Sequence, residues 1–329
     1  QKIAIVAGGD SSEYEISIQS ADEILKVLDT GKYEAFIVQI RGNNWKAQVN
    51  QDKINIDKND FSFIHKGQQI YFDCVLIAIH GIPGEDGKLQ SYFDLIGIPY
   101  TSCGVFCSAL SFSKFACKAF LKEFGIPVAK SMMVRKNEQI DLKKIKKKLK
   151  PPYFVKPNNS GSSFGISKVP HEDGLQAAIL RAFAEDDEVI IEEFVNGTEI
   201  SCGLIKASGE SHIFPLTEIV SKNEFFDFEA KYTNGQAEEI TPAGISNNLV
   251  QQSMKLSSKI YDKLGCHGIV RIDYIISRNT PYFLEINTVP GMSPNSILPK
   301  QVREYGRDLH DILDLSIQDA LLRFARKAE

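Results

Sequence analysis

Short apolar runs alternate with helical patterns over the first hundred residues. Strands are predicted at 2–8, 35–40, 74–80 and 97–100, and helices are predicted after Ser12 and at 88–96. A strand followed by a helix, repeated several times, is typical of a parallel sheet covered by helices. We therefore expect an α/β domain that ends near Cys103.

The pattern changes after this point. A helix is predicted from Ser108 through Phe124, followed by a strand at 129–134 and a lysine-rich helix at 141–149. Further strands are predicted at 153–157, 165–169, 188–195 and 198–206. The lysine run of the helix is more typical of a solvated face than of a nucleic-acid surface. This order indicates a smaller α+β domain, and we expect domains at 1–103, 104–197 and 198–329.

Two later runs, at 268–276 and 282–287, alternate polar with apolar residues. The alternation predicts strands, and the linker Ser277–Pro281 has the composition of a turn. We therefore expect an antiparallel hairpin in which Ile276 pairs with Tyr282.

This pairing places Asp273 opposite Glu285 and Arg271 opposite Asn287, with all four side chains on one face. Opposed carboxylates repel each other unless a positive charge lies between them. Carboxylate and amide oxygens favour Mg²⁺ or Mn²⁺ over zinc, and Mg²⁺ usually completes its shell with water and phosphates. The hairpin therefore predicts a metal site and suggests a nucleotide. The alternative is a solvated face on which Arg271 neutralises both acids.

Two loops have the composition of ligand-binding segments. Residues 155–165 form a Gly/Ser loop whose N–H groups and hydroxyls could donate to phosphate oxygens beside Lys156. The alternative is a plain hairpin turn, which would need fewer small residues. In the segment 288–296, Gly291 allows the backbone to approach a ligand closely.

Two further stretches each allow two interpretations. The region 188–201 carries acids around a break at Asn196-Gly197, and its edge could hold an adenine by backbone bonds and a ribose by Glu199. Surface carboxylates explain this pattern equally well. The aromatic stretch 225–228 with Tyr232 predicts a lid that excludes solvent, because loop-type residues flank it, and a core cluster is the alternative.

Length, composition and charge add little to this picture except the classes of protein that they argue against. A length of 329 residues allows two or three domains, and a net charge of −4 gives no basic field for nucleic acid. Because neither a run of about 18 apolar residues nor a basic-apolar leader is found, we expect no membrane span and a cytoplasmic location.

The six cysteines lie in apolar runs and are interpreted as reduced core thiols. Cys103 and Cys107, spaced CxxxC without neighbouring histidines, do not favour a zinc site.

Eight motifs occur in an order that is specific when taken together. They are GGDSSEYEIS (8–17), HGIPGEDGKLQ (80–90), ALSFSKFACK (109–118), VKPNNSGSSFG (155–165), FFDFEAKY (225–232), PAG (242–244), GIVRID (268–273) and LEINTVPGMSPNS (284–296). In these motifs the chain resembles the ATP-grasp superfamily and, more narrowly, the D-alanine–D-alanine ligase family. The resemblance implies a fold of α/β and α+β class, in which two ATP-grasp lobes hold Mg·ATP beside an N-terminal parallel-sheet (Rossmann-like) domain.

The resemblance also implies a nucleotide site. Lys114 and Lys156 would contact the phosphates, beneath a closing loop made of Ser160, Gly161, Ser162 and Ser163. Adenine and ribose would meet the segment Glu192, Glu193, Phe194 and Val195, together with Glu199. Two Mg²⁺ or Mn²⁺ ions would be held by Asp273, Glu285 and Asn287.

The substrate site follows from the same resemblance. Glu13 would anchor the ammonium group of the first D-alanine, within a hydrogen-bonded set that includes Ser162 and Tyr232. Arg271 and the N–H of Gly291 would form the oxyanion site. Ser296 and the N–H of Ile297 would take the carboxylate of the second D-alanine, with His80 and Lys231 near the substrate and the transferred phosphate.

The activity implied is ATP-dependent ligation of two D-alanine molecules through an acyl phosphate, with release of ADP and phosphate, for peptidoglycan precursors. The family resemblance also implies a homodimer. Tyr232 is the residue that dipeptide ligases carry, whereas Asp10, where many relatives have Thr, departs from the motif. The alternatives are a D-alanine–D-lactate ligase, another carboxylate–amine ligase, or a regulatory protein that binds nucleotide without turnover.

Overall fold

A computed structural model of the chain describes residues 1–159, 165–221 and 237–328. The first hundred residues contain strands β1 (Lys2–Gly8), β2 (Glu34–Arg41), β3 (Asn44–Val49), β4 (Asp52–Asn55), β5 (Phe63–His65), β6 (Gln68–Ile70) and β7 (Cys74–Ile77). Five of them form a sheet in the order β4-β3-β2-β1-β7, and β5 pairs with β6 as a separate hairpin. The apolar runs that predicted β1 and β7 are buried, and β7 is the last strand in this order.

The first sheet is mixed rather than parallel throughout. β1 pairs in parallel with β2 and β7, as predicted, but β3 and β4 add two antiparallel strands at one edge. The predicted strand at 97–100 is wrong, because Tyr100 forms only an isolated bridge with Val75. Pro99 lacks an N–H, so it contributes its carbonyl alone, to the N–H of Val75.

Helices α1 (Tyr14–Val27) and α2 (Lys88–Ile96) pack on this sheet at their predicted positions. The single helix predicted from Ser108 is wrong, since α3 (Val105–Phe112) and α4 (Lys114–Glu123) are separate. Ser113 breaks them apart: its backbone is extended, and its hydroxyl accepts the N–H of Ala116 as the cap of α4. The break places Lys114 in the first turn of α4.

The second sheet is antiparallel. Its strands are β8 (Ser131–Arg135), β9 (Tyr153–Pro157), β10 (Ser167–Val169) and β11 (Glu188–Glu193), in the order β10-β9-β11-β8. Helices α5 (Leu142–Lys148) and α6 (Leu175–Ala182) cover it. In α5 only Ile145 is buried and the lysines are exposed, as on a solvated face.

The third sheet contains β12 (Thr198–Ala207), β13 (Glu210–Ile213), β14 (Thr217–Ser221), β15 (Ala237–Ile240), β16 (Val270–Ser277) and β17 (Thr280–Asn287). Its order is β15-β14-β12-β16-β17, with β13 beside β12. Helices α7 (Asn247–Leu264), α8 (Ile297–Glu304) and α9 (Leu309–Ala328) complete the described chain. One face of the hairpin β16–β17 is buried against α7, which leaves the other face for polar side chains.

The C-terminal helix α9 returns to the first sheet. Ile312 and Ile317 share a buried cluster with Ile3 and Ile5 of β1, so the two ends of the chain form one core. Within the described ranges, no helix has the length and apolar character needed to cross a membrane.

Candidate active site

The polar residues of the β16–β17 hairpin are opposed as predicted. Asp273 lies opposite Glu285, and Arg271 lies opposite Asn287. Ile272 and its alternating neighbours are buried on the opposite face, against α7. The period of two along each strand therefore gathers the four polar side chains on the face that points away from that core.

The turn of this hairpin differs from the prediction. Ile276 pairs with Pro281, one residue before its predicted partner, because the turn contains only Arg278 and Asn279. Both turn residues have positive φ, as in the tight turns that suit a twisted hairpin. A β-bulge just after Asp273 then restores the offset, so two deviations of one residue cancel.

Asp273 is the centre of a hydrogen-bonded group. Arg271 donates to both of its oxygens, from Nε at 3.0 Å and from Nη2 at 2.9 Å, and Asn287 donates at 3.0 Å. Ser201 of β12 donates its hydroxyl at 2.6 Å. Burial lowers the pKa of Arg271, but the charge of Asp273 outweighs burial and raises that pKa above its usual value. Four donors to one buried carboxylate fix it in place.

Lys114, rather than Arg271, neutralises the second acid of the hairpin. Its Nζ lies 3.3 Å from a carboxylate oxygen of Glu285. Buried Asn158, which follows β9, holds the start of α4: its carbonyl accepts the N–H of Lys114, and its amide donates to Ser113 Oγ at 2.9 Å. Lys114 is thereby positioned between the hairpin and the end of β9.

Lys156 belongs to a buried group of three charges. Its Nζ lies 2.9 Å from Glu192, and Lys118 of α4 forms a second ion pair with the same carboxylate. All three side chains are at most 4% exposed. Burial raises the pKa of Glu192, but the two lysines outweigh it and hold that pKa at about 2. The Glu192 side chain therefore bridges β11 to α4 and β9.

A cleft of about 740 Å³ lies where β11 leads into β12. It is lined by Val128, Ala129, Lys130, Glu193, Phe194, Val195, Asn196, Gly197, Thr198, Ile276, Ser277, Arg278 and Tyr282. The N–H groups of Glu193 and Phe194 already donate to the carbonyls of Lys130 and Pro152. Three of the residues predicted for adenine thus line this cleft, whereas Glu192 does not.

His80 connects the first domain to the loop after β17. Its Nδ1 lies 2.8 Å from the carbonyl oxygen of Val289, so Nδ1–H is the donor, and Nε2 accepts from Ser20 Oγ at 3.2 Å. Burial lowers the pKa of His80, which keeps the ring neutral at pH 7. The imidazole therefore acts here as a fixed hydrogen-bonding bridge.

Glu13 lies beside the turn that follows His80. A Cβ placed on Gly81 would lie 4.0 Å from a carboxylate oxygen of Glu13 and 2.9 Å from Ser11 Cβ. Gly81 has a φ of +73°, and the hydroxyl of Ser11 donates to the His80 carbonyl at 2.8 Å. The close approach requires glycine and brings the Glu13 carboxylate to this turn.

Glu85, for which the sequence suggested no role, ties the same two segments together. Its carboxylate accepts the N–H of Gly81 at 2.8 Å, of Thr288 at 3.2 Å and of Val289 at 3.1 Å. Burial raises the pKa of Glu85 to about 7, against the opposing effect of the Gly81 N–H. One partly buried carboxylate thus sets the position of the loop that begins at Thr288.

That loop ends at the start of α8. Ser296 Oγ lies 2.8 Å from Ser293 Oγ, and a Cβ on Gly291 would lie 2.8 Å from Ser296 Oγ. Ser296 is the N-cap residue of α8, and Ile297 is its first residue. Backbone N–H groups at a helix start favour an anionic group.

The described residues place most of the predicted site around one region. Glu13, His80, Gly291 and Ser296 approach it from the first domain and the loop, and the hairpin and lysines approach from the two lobes. Ser160, Gly161, Ser162, Ser163, Lys231, Tyr232 and the aromatic stretch 225–228 lie outside the described residues. Sequence reasoning missed Glu85, Lys118, Asn158 and Ser201, of which the first three stand inside motifs already noted.

The second and third sheets, both antiparallel, carry the paired lysines and acids of this region, and this arrangement defines an ATP-grasp enzyme. The family models described as D-ala D-ala ligase N-terminus and C-terminus match residues 2–103 and 120–318. The chain belongs to the D-alanine–D-alanine ligase family.

Curated relatives and solved structures agree with this assignment. The chain is 49% identical to D-alanine–D-alanine ligase of Parabacteroides distasonis, over 98% of both chains, and 47% identical to that of Bacteroides fragilis, over 95% of this chain and 97% of the relative. It is similar in structure to the VanG D-Ala:D-Ser ligase of Enterococcus faecalis (TM-score 0.87, 32% identity, 97% and 98% covered). It is also similar to the Bacillus anthracis D-alanine–D-alanine ligase complexed with ATP (TM-score 0.79, 30% identity, 99% of both).

Proposed function

We infer that this chain joins two D-alanine molecules to D-alanyl-D-alanine, with conversion of ATP to ADP and phosphate, for peptidoglycan precursor synthesis. The observation that carries this inference is family membership along nearly the whole chain, at 49% identity to a curated ligase. The convergence of Lys114, Lys156 and Arg271 with two carboxylates supports it, because a reaction between anions requires such a set.

The first step has to activate a carboxylate. A carboxylate does not condense with an amine in water, so an oxygen of the first D-alanine attacks the γ-phosphate and the bond to ADP breaks. Catalysis of phosphoryl transfer consists mainly of positioning and charge neutralisation. Lys114 and Lys156 would neutralise the phosphates, and the contacts of Asn158 would hold Lys114 in position.

We propose that Asp273, Glu285 and Asn287 hold two Mg²⁺ or Mn²⁺ ions. Two opposed carboxylates and an amide are oxygen ligands of the kind these ions prefer. Such ions, when bound, neutralise charge on the phosphates. The described contacts fit this role, since the donors around Asp273 hold its carboxylate in a fixed orientation.

The second step forms the peptide bond. The free amine of the second D-alanine attacks the acyl carbon, and phosphate leaves as the tetrahedral intermediate collapses. The Arg271 guanidinium, oriented by its two bonds to Asp273, and the N–H of Gly291 would donate to the oxyanion. A donor in this role is typically worth about 2.7–4 kcal/mol.

Substrate binding would use the residues around the turn and the helix start. Glu13 would anchor the ammonium group of the first D-alanine, near His80. Ser296 and the N–H of Ile297 would bind the carboxylate of the second D-alanine, at the start of α8.

We further propose a cytoplasmic homodimer, and light scattering on the purified chain tests the dimer.

The activity is tested by incubating the chain with Mg²⁺, ATP and D-alanine. We expect ADP release well above the ATP-only background and a dipeptide in the mass spectrum. Release equal to that background would contradict the enzymatic function and leave a nucleotide-binding protein. Mixtures of D-alanine with D-lactate or D-serine, analysed near neutral pH, separate the ligase types, and a depsipeptide majority would overturn the preference inferred from Tyr232.

Replacing Glu85 with glutamine is expected to lower kcat/KM for D-alanine by about 10- to 100-fold. The glutamine amide carries one acceptor oxygen in place of two, and its NH₂ faces backbone N–H groups. Lost hydrogen bonds to a charged acceptor typically cost about 1.5–3 kcal/mol. The loop after β17 would lose its fixed position, while the ATP-binding lysines stay in place. Steady-state kinetics with each substrate measures the effect.

The pH profile checks that the carboxylate is responsible. Protonation removes acceptor capacity, so wild-type kcat/KM should fall as pH falls through about 7, the pKa to which burial raises Glu85. This decline should be absent from the Glu85→Gln variant. Asp86→Asn, which alters the neighbouring carboxylate, is the matched control and should stay within about threefold of wild type. Equal profiles for wild type and Glu85→Gln would contradict the positioning role.

A further inference from the structure

Three cysteine thiols from distant parts of the chain meet at the end of α7. Cys103 follows the first sheet, Cys107 lies in the first turn of α3, and Cys266 follows α7. Their Sγ atoms all lie within 4.8 Å of one another, and those of Cys107 and Cys266 are 3.6 Å apart. The side chains are 0%, 3% and 4% exposed. The CxxxC spacing did not favour a metal site, because the third cysteine comes from elsewhere in the sequence.

The backbone around the three thiols is held rigidly. A Cβ on Gly268 would lie only 1.8 Å from the carbonyl oxygen of Thr101, so these two segments are in direct backbone contact. Tyr261 OH donates to the Gly268 carbonyl at 2.9 Å, and the backbone carbonyl of Tyr261 accepts the N–H of Cys266. Ser108 Oγ donates to the Cys103 carbonyl at 3.2 Å. The thiols are therefore brought together by the fold before any ligand arrives, as a preorganised site requires.

The spacing suits one ion bound by three sulfurs. Zinc–sulfur bonds of about 2.3 Å in tetrahedral geometry place two sulfurs about 3.8 Å apart, within the range of this cluster. Thiolates select soft and borderline cations, unlike the oxygen ligands of Asp273 and Glu285. The carbonyl of His267, which accepts from Cys103 Sγ at 3.4 Å, offers an oxygen for a fourth position.

Because the three thiolates are buried, the net charge of the site determines whether it favours a monovalent or a divalent ion. Three thiolates around a monovalent ion leave two uncompensated negative charges in the core, whereas a divalent ion leaves one. Uncompensated buried charge is costly, which favours the divalent ion. The cluster lies near the surface, since Phe106, the neighbour of Cys107, is 65% exposed at the start of α3.

We propose that Cys103, Cys107 and Cys266 form a binding site for a thiophilic divalent cation of the zinc class, separate from the catalytic oxygen ligands. Three S–H bonds break, three sulfur–metal bonds form, and three protons pass to the buffer, with no change in oxidation state. The bound ion ties the end of the first domain to α3 and to the end of α7. It would stabilise the junction from which β16 begins.

The test titrates zinc into the full-length, reduced and metal-free chain against a chromophoric chelator, with excess Mg²⁺ occupying oxygen sites. We expect one Zn²⁺ per wild-type chain, and at least tenfold weaker binding for Cys107→Ala and Cys266→Ala. Cys74→Ala is the matched control, because Cys74 is equally buried in β7, and its affinity should equal that of wild type. Equal affinities for all four proteins would overturn the proposal.

A second measurement is independent of how well the variants fold. Co²⁺ added to the wild-type chain should produce thiolate-to-cobalt charge-transfer absorption at one ion per chain, and Zn²⁺ should displace it. Absence of this band would overturn the proposal. Loss of two thiols without bound metal, seen by mass spectrometry, would show a Cys107–Cys266 disulfide in its place and would also overturn it.

Discussion

The Arg271→Met variant is expected to lose about 10²- to 10³-fold in kcat while remaining folded at 25 °C. Removing one donor to a developing oxyanion typically costs this much. Methionine fills a similar volume but donates nothing, so neither the acyl oxygen nor the transferred phosphate would be neutralised. Asp273 would keep its bonds from Ser201 and Asn287, which limits the structural damage.

Two further variants separate the charge of Arg271 from its geometry. Arg271→Lys keeps a positive charge but cannot make both bonds to the Asp273 carboxylate, so we expect an intermediate loss. Arg303→Met removes an exposed arginine from the last turn of α8 and should leave kcat within about twofold of wild type. Initial rates of ADP release at saturating ATP and D-alanine measure all three. A kcat for Arg271→Met within about threefold of wild type would exclude the oxyanion role.

Local sequence patterns predicted the hairpin but not its details. The period of two along β16 and β17 was sufficient to oppose Asp273 and Glu285, and the burial of one face makes that register strongly favoured. The bulge after Asp273 and the two-residue turn were not predicted, because a five-residue linker of turn composition gives no sign of where pairing stops. The metal role of these residues stays a prediction.

Contacts between distant segments account for what the sequence did not show. Ser201 and Asp273 are 72 residues apart, and Lys118 and Glu192 are 74 apart. No spacing rule relates such pairs, since they depend on which strands become neighbours in the third sheet and on how α4 packs. The same reason explains the cysteine cluster, in which Cys107 and Cys266 are 159 residues apart. The motifs contained Lys118 and Glu85, but a motif match does not state which side chain is buried.

The structure adds two ion pairs to the role predicted for Glu192. Resemblance implies that this residue meets the adenine, and its carboxylate lies between two buried ammonium groups. The ion pair with Lys156 links the lysine proposed to bind phosphate to β11. The position of Lys156, and the free-energy cost of burying its charge, therefore depend on the Glu192 carboxylate.

Replacing Glu192 with glutamine is expected to lower the free energy of unfolding by about 3–5 kcal/mol, because it removes the ion-pair partner of two buried ammonium groups. Lys118 and Lys156 are 2% and 3% exposed, so water cannot substitute for the carboxylate. Glu193→Gln, one residue further along β11, is the control. Its ion pair with Lys130 is 3.8 Å long and partly exposed, and we expect a loss below about 1 kcal/mol. Urea unfolding followed by far-UV circular dichroism measures both.

Lowering the pH, and adding a second substitution, test whether the loss of stability in Glu192→Gln is electrostatic. The pKa of Glu192 is about 2 in the folded chain, below the usual value of 4.5, so its stabilisation is present above about pH 4.5 and is lost as pH falls towards 2. The difference between wild type and Glu192→Gln should therefore shrink below about pH 4.5. Adding Lys118→Met to Glu192→Gln removes one of the two stranded charges and should recover part of the stability at pH 7. A double variant less stable than Glu192→Gln, with a difference independent of pH, would show that packing rather than charge explains the loss of stability.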